Sequence, residues 1–320
     1  MSQAAKRFGT VGRFVLKYNT AFMFAVLLIA SAIASDRFLI PENIFNLLRQ
    51  KAGIGITSMG MLLVILTAGI DLSVGSILAL ASVLSAQFLL YMPLPAALPL
   101  TVLAGVALGG VSGFLVSNRR MAPFVVTLAM MTIARGLAYI VSKGAPILLT
   151  DSGQPLKNFG TGYFLGVPHP VILMFAVFIA IFLILKFTVF GRLVVGIGSN
   201  ETAVRLSGIR VGVYKFLVYC ISGGCAAMAG IISTARTGVG SPMVGPGMEL
   251  DAIAAVVIGG ASLSGGKGTA FNTILGVLIL GMIGNIMNLK NIPAYPQQVI
   301  KGLIIIFAVL LQGIQRRSEE

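Results

Sequence analysis

Of 320 residues, 57% are hydrophobic and only 10% charged, against about 25% charged in an ordinary soluble domain, and the mean hydropathy is +0.98. So much apolar surface excludes a water-soluble fold and predicts an all-α chain in a bilayer, where every backbone polar group must pair internally. The 23 basic and nine acidic residues give +14, which reads as the positive-inside bias of a membrane protein before it reads as a nucleic-acid surface.

A crossing takes about 20 apolar residues. Apolar runs lie at 20–35, 52–70, 72–91, 97–117, 122–142, 168–186, 213–233, 251–263, 270–288 and 297–314, which predicts ten transmembrane helices. With the N-terminus inside, fourteen bases fall on the inner side and eight on the outer, with Arg135 inside a span. That asymmetry places both termini in the cytoplasm. The basic N-terminal stretch followed by Ala21–Ser31 and Ala32-Ile33-Ala34 has some signal-peptide character, but its basic region is long and further spans follow closely.

Pro41–Lys51 reads as an amphipathic surface helix with Ile44, Leu47 and Leu48 on one face. Residues 52–91 would then form one apolar run of about 60 Å, twice a bilayer core. The chain must break there, and Gly69-Ile70-Asp71-Leu72-Ser73-Val74-Gly75-Ser76 is the place. The glycines free the backbone, and Ser73 and Ser76 can cap a new helix. Asp71 reads either as the acid of a cytoplasmic turn or as a residue near a solute path. Mid-span Arg135 requires a partner or water, and either a backbone carbonyl or a pathway role would supply one.

The polar stretch 187–212 holds a short helix over about 200–207, with Ser199 as its N-cap, Glu201 in its first turn, a Glu201–Arg205 pair and Gly208 as its stop. It is too short and polar to cross, and on composition alone it is an interfacial turn. At 249–268, Glu249-Leu250-Asp251 precedes a short apolar run, Ala252–Leu263, containing Gly259-Gly260. At about 20 Å this helix cannot cross unaided; it is either buried by neighbours or lines a cavity. Ser264-Gly265-Gly266-Lys267-Gly268 lacks the G-x-x-x-x-G-K-[ST] frame of a nucleotide-binding loop. No side-chain set suggests a catalytic centre or a metal site: Cys220 and Cys225 form no framework, and His169 stands alone.

The phrases GIDLSVGS at 69–76, FGR at 190–192, GSNETAVRLSGIRV at 198–211 and ELDAIAAVVIGGASLSGGKG at 249–268 resemble the inner-membrane permease of bacterial ABC importers for monosaccharides, most closely its ribose type, with arabinose, xylose and galactose permeases as relatives. The resemblance covers nearly the whole chain. It implies one transmembrane permease domain over 1–320, with 187–212 as its cytoplasmic coupling loop. It implies translocation of ribose or a similar sugar, driven by ATP and Mg on a separate ATPase, a periplasmic sugar-binding protein, and a permease homodimer. Glu201, Val204, Arg205, Leu206, Gly208 and Ile209 become coupling candidates, while Asp71, Ser73, Asp251, Gly259 and Gly260 become helix-break or path candidates. An ion-coupled carrier would need charged relays inside the spans, and the acids here sit mainly at helix ends; a passive channel would conduct without ATP.

Overall fold

The computed structural model describes residues 19–304 and 306. A helix occupies each of the ten apolar runs within those residues; 1–18 and most of 305–320, including several of the counted bases, lie outside them. In chain order the helices are α1 (Asn19–Ala34), α2 (Pro41–Leu66), α3 (Val74–Leu89), α4 (Leu94–Ser117), α5 (Pro123–Ser142), α6 (Gln154–Thr161), α7 (His169–Phe187), α8 (Val189–Ser199), α9 (Glu201–Leu206), α10 (Val211–Thr237), α11 (Met248–Ile258), α12 (Ala270–Leu289) and α13 (294–304). Two two-stranded pairs, Ile147–Leu148 with Val239–Gly240 and Tyr163–Phe164 with Val167–Pro168, tie loops together.

Helix α10 is the axis. At 27 residues it is about 40 Å long, and 72% of its apolar window is buried, against 22% for the outlying α7. Its small residues explain the difference. A Cβ on Gly105, Gly109 or Gly113 of α4 would collide with α10 backbone or Cβ atoms at Gly223, Ala227, Tyr219 and Phe216. These three glycines repeat every fourth residue, the spacing that lets two membrane helices touch backbone to backbone. Likewise Gly60 brings α2 against Ser222, and Gly230 brings α10 against Leu78 and Ala81 of α3.

These contacts fix directions relative to α10. The end carrying Val211 and α9 is called the near end, and the end carrying Thr237 the far end. Gly53 meets Ala229 and Gly60 meets Ser222, so α2 descends toward the near end. Asp71 bonds Ser222 and Ser82 bonds Thr234 at 2.8 Å each, so α3 runs back up parallel to α10.

Three expectations change. The surface helix at 41–51 is continuous with the following span, because no Gly-Pro signal separates Lys51 from Ala52. The run at 251–263 is helical only to Ile258; Gly259 and the left-handed Gly260 (φ 82°) end it, and a Cβ at Gly259 would strike the Asn272 carbonyl. The stretch 187–212 holds two helices, since the Thr188 hydroxyl accepts the Gly191 amide at 3.1 Å and starts α8 at once.

Candidate translocation and coupling sites

The break after α2 is sunk into the bundle rather than placed at its edge. Ser222 is the twelfth residue of α10, which sets the Asp71 carboxylate roughly 17 Å from the near end by helical rise. Asp71 is wholly buried. One carboxylate oxygen accepts the Ser73 amide at 3.0 Å and the Ser73 hydroxyl at 2.5 Å, and the other accepts the Ser222 hydroxyl at 2.8 Å. The Ile70 carbonyl accepts from the Thr127 hydroxyl at 3.3 Å. Groups freed by the broken helix are thus paired by side chains of α5 and α10, the condition for irregular backbone at this depth. The solvated-turn reading of Asp71 does not hold.

A second interruption faces the first. Beyond Val239–Gly240 at the far end, 241–247 descends as a non-helical segment, and the first turn of α11 begins beside α3. A Cβ on Gly75 would lie 2.5 Å from the Gly245 carbonyl oxygen and collide with the Glu249 carboxylate. The N-termini of α3, about 24 Å long, and α11, about 17 Å long, therefore meet inside the bundle. Neither is long enough to cross 30 Å of hydrocarbon. Arg135 of α5 holds this junction: its guanidinium donates to the carbonyls of Pro242 at 2.6 Å, Val244 at 2.8 Å and, more weakly, Gly75 at 3.4 Å. Asp251, one turn into α11, accepts from Lys301 of α13 at 3.3 Å and is half-buried. Gly259 and Gly260 lie at the opposite end of α11 from this junction, Gly259 against the start of α12 and Gly260 facing Thr20 of α1.

The near end gathers the other motifs. The Leu66 carbonyl, ending α2, accepts the Gly266 amide at 3.0 Å. A Cβ on Gly198 would collide with that carbonyl and sit 2.5 Å from the Gly266 nitrogen; one on Gly265 would sit 2.9 Å from Gly198. Three segments distant in sequence thus meet backbone to backbone, where only glycine fits. From this knot α8 leads into α9. The cap of α9 is Asn200, whose side chain accepts the Ala203 amide at 2.9 Å, while the Ser199 hydroxyl donates back to Val195 at 3.0 Å. The helix has six residues rather than eight. Glu201 pairs with Arg205, and also with Lys215 of α10 at 2.5 Å, a partner that lies beyond local spacing. Burial would push the Glu201 carboxyl up, but hydrogen bonds and charge from Lys215 and Arg205 outweigh it and hold the carboxyl below the ordinary carboxylate range.

Among the apolar coupling candidates, Leu206 is 84% exposed. Val204 instead leans on its own chain at Gly196, and Ile209 lines a groove of about 470 Å³ shared with Met121 and Pro123. Gly208 has φ +80° and open space around it, so its role is conformational rather than steric. Among the described residues no three of His, Cys, Asp and Glu gather at one point.

Sequence reasoning named Glu249 only as the head of the 249–268 stretch, and it missed the 241–247 segment and the Lys215 tether. The Gly245-x-Gly247 spacing was the available signal for the segment; nothing local announces Lys215.

Comparison with known proteins agrees with this architecture. Residues 43–309 match the family described as "Branched-chain amino acid transport system / permease component". The chain is 41% identical over 303 residues to the ribose import permease protein of Haemophilus influenzae, covering 94% of each chain. It is 45% identical over 287 residues to that of Bacillus subtilis, covering 89% of each, and 37% identical over 301 residues to the D-allose transport system permease protein of Escherichia coli, covering 93% and 92%. No solved structure matches.

Proposed function

Because the chain belongs to the branched-chain amino acid transport system permease family, we infer that it is the membrane subunit of a bacterial ABC importer for ribose or a similar monosaccharide. It is a transporter subunit and not an enzyme, and it lies in the inner membrane. ATP is hydrolysed on a partner ATPase, and the sugar arrives on a periplasmic binding protein. The observation that carries the solute class is the near-full-length identity of 41–45% to ribose import permeases.

The geometry supports a mechanical reading. We read the chain as one permease domain with ten crossings and both termini in the cytoplasm, which makes the near end cytoplasmic and α9 the coupling helix of the 187–212 segment. In this reading the exposed Leu206 is the apolar contact offered to the ATPase. Glu201 ties α9 to α10 through Lys215. The knot of Leu66, Gly198 and Gly266 joins the base of α9 to the end of α2, five residues before Asp71. A displacement of α9 therefore reaches both the central helix and the first interruption through packed backbone. Such contacts transmit rigid-body shifts because interiors are close-packed. In this reading the importer contains two copies of the permease, whose openings alternate as the ATPases close and part.

Purification of the native complex under mild detergent tests the assignment. The expected partners are an ABC ATPase and a periplasmic protein carrying a pentose or hexose. A periplasmic partner carrying an amino acid would overturn the sugar assignment while leaving the importer architecture intact.

A further inference from the structure

The two interrupted helices leave an open recess of about 610 Å³ beside their meeting point, with Ser76, Arg135, Tyr139, Gly247 and Glu249 on its walls. Its outer wall is a stripe on α5: Thr132, Arg135 and Tyr139 at i, i+3 and i+7 share one helix face. Thr132 and Tyr139 are exposed and Arg135 is half-buried. On the adjoining arc, Ile133 and Ile140 are 52% and 73% exposed. Apolar exposure suits lipid; a guanidinium, a carboxylate and a phenol opening sideways from a span do not, and such groups face water or protein.

Resting on the sugar-permease reading, we propose that this recess is the solute-contacting wall of the path, in which Tyr139 and Glu249 exchange hydrogen bonds with sugar hydroxyls. Arg135 is a positioning residue: it spends its donors on the Pro242, Val244 and Gly75 carbonyls and so holds the non-helical segment against α3. The class of solute follows from the groups. Hydroxyls donate and accept, a carboxylate accepts, and a sugar hydroxyl needs both kinds of partner. One cation and one anion leave the wall without net charge, which favours a neutral polyol over an ion. The wall is open on one side, and the second copy of the proposed dimer would close it.

The test uses the whole importer, with ATPase and binding protein, in proteoliposomes, with D-ribose as the probe. The readout is sugar moved per ATP hydrolysed. Tyr139→Phe and Glu249→Ala each remove one partner of a hydroxyl, and each is expected to lower that ratio about fivefold, the equivalent of roughly 1 kcal/mol. In parallel, Thr132→Cys should react with a membrane-impermeant maleimide while Ile133→Cys does not. An unchanged ratio in both variants, or an unlabelled Thr132→Cys, would overturn the proposal. Failure of the unsubstituted importer to move ribose or any other monosaccharide would instead overturn the permease reading on which it rests.

Discussion

Asp71→Ala is expected to lower thermal stability in detergent and the amount of protein in the membrane together. The carboxylate accepts three hydrogen bonds from wholly buried groups, the Ser73 amide, the Ser73 hydroxyl and the Ser222 hydroxyl. Alanine leaves those donors without partners at a depth water does not reach. An orphaned buried donor costs about 1–3 kcal/mol, so the loss is on the order of 3 kcal/mol or more. Asp71→Asn keeps one acceptor and the shape, and should fall between the two. Differential scanning fluorimetry of the purified protein reads the order. An Asp71→Ala protein as stable as the original would show that the break is held by packing around Gly60 and Gly69, not by the carboxylate.

The coupling helix should behave in the opposite way, losing function while keeping the fold. Glu201→Lys removes both ion pairs of α9 and sets a third cation beside Arg205 and Lys215. Partly exposed pairs contribute only about 0.2–1 kcal/mol to stability, so membrane levels should barely change. Sugar-stimulated ATP hydrolysis and ATPase co-purification, which depend on where α9 points, should fall roughly tenfold, a shift of about 1.4 kcal/mol. Gly208 gives an independent handle. Its positive φ and empty surroundings mean that Gly208→Val suffers only from the left-handed backbone, about 1–2 kcal/mol. Gly208→Val should uncouple, and Gly208→Asn, which tolerates that conformation, should not. Equal loss of protein level and activity would mark α9 as a structural turn, and normal uptake in Glu201→Lys and Gly208→Val would remove the coupling assignment.

How much could be read beforehand divides along a physical line. Hydropathy and helix length located every long helix, because apolar runs bounded by charge or proline are local properties. The same reasoning called for a break near 69–76, since a 40-residue helix cannot fit a bilayer, and the structure puts it between Leu66 and Val74. Its depth was not legible: that depends on Ser222, 151 residues away. Ser199 and Asn200 are equally good caps on paper; α8 extends through Ser199 and so hands the cap to Asn200. Val204 enters as a coupling candidate through the resemblance alone, and its contact at Gly196 could not be read from local spacing, which says which residues share a face, not which face a neighbour covers. The meeting of Leu66, Gly198 and Gly266 was visible only as three scattered glycine-rich phrases. What they share is close backbone approach, and that appears only once the chain is folded.

The most direct test of the central claim is uptake of labelled ribose into right-side-out proteoliposomes holding this chain, its ATPase and the sugar-loaded binding protein, with ATP enclosed and an ionophore abolishing every ion gradient. An ATP-driven importer accumulates sugar under these conditions and stops when the ATPase is omitted. Uptake that continues without the ATPase, or that collapses with the ion gradient, would contradict the account.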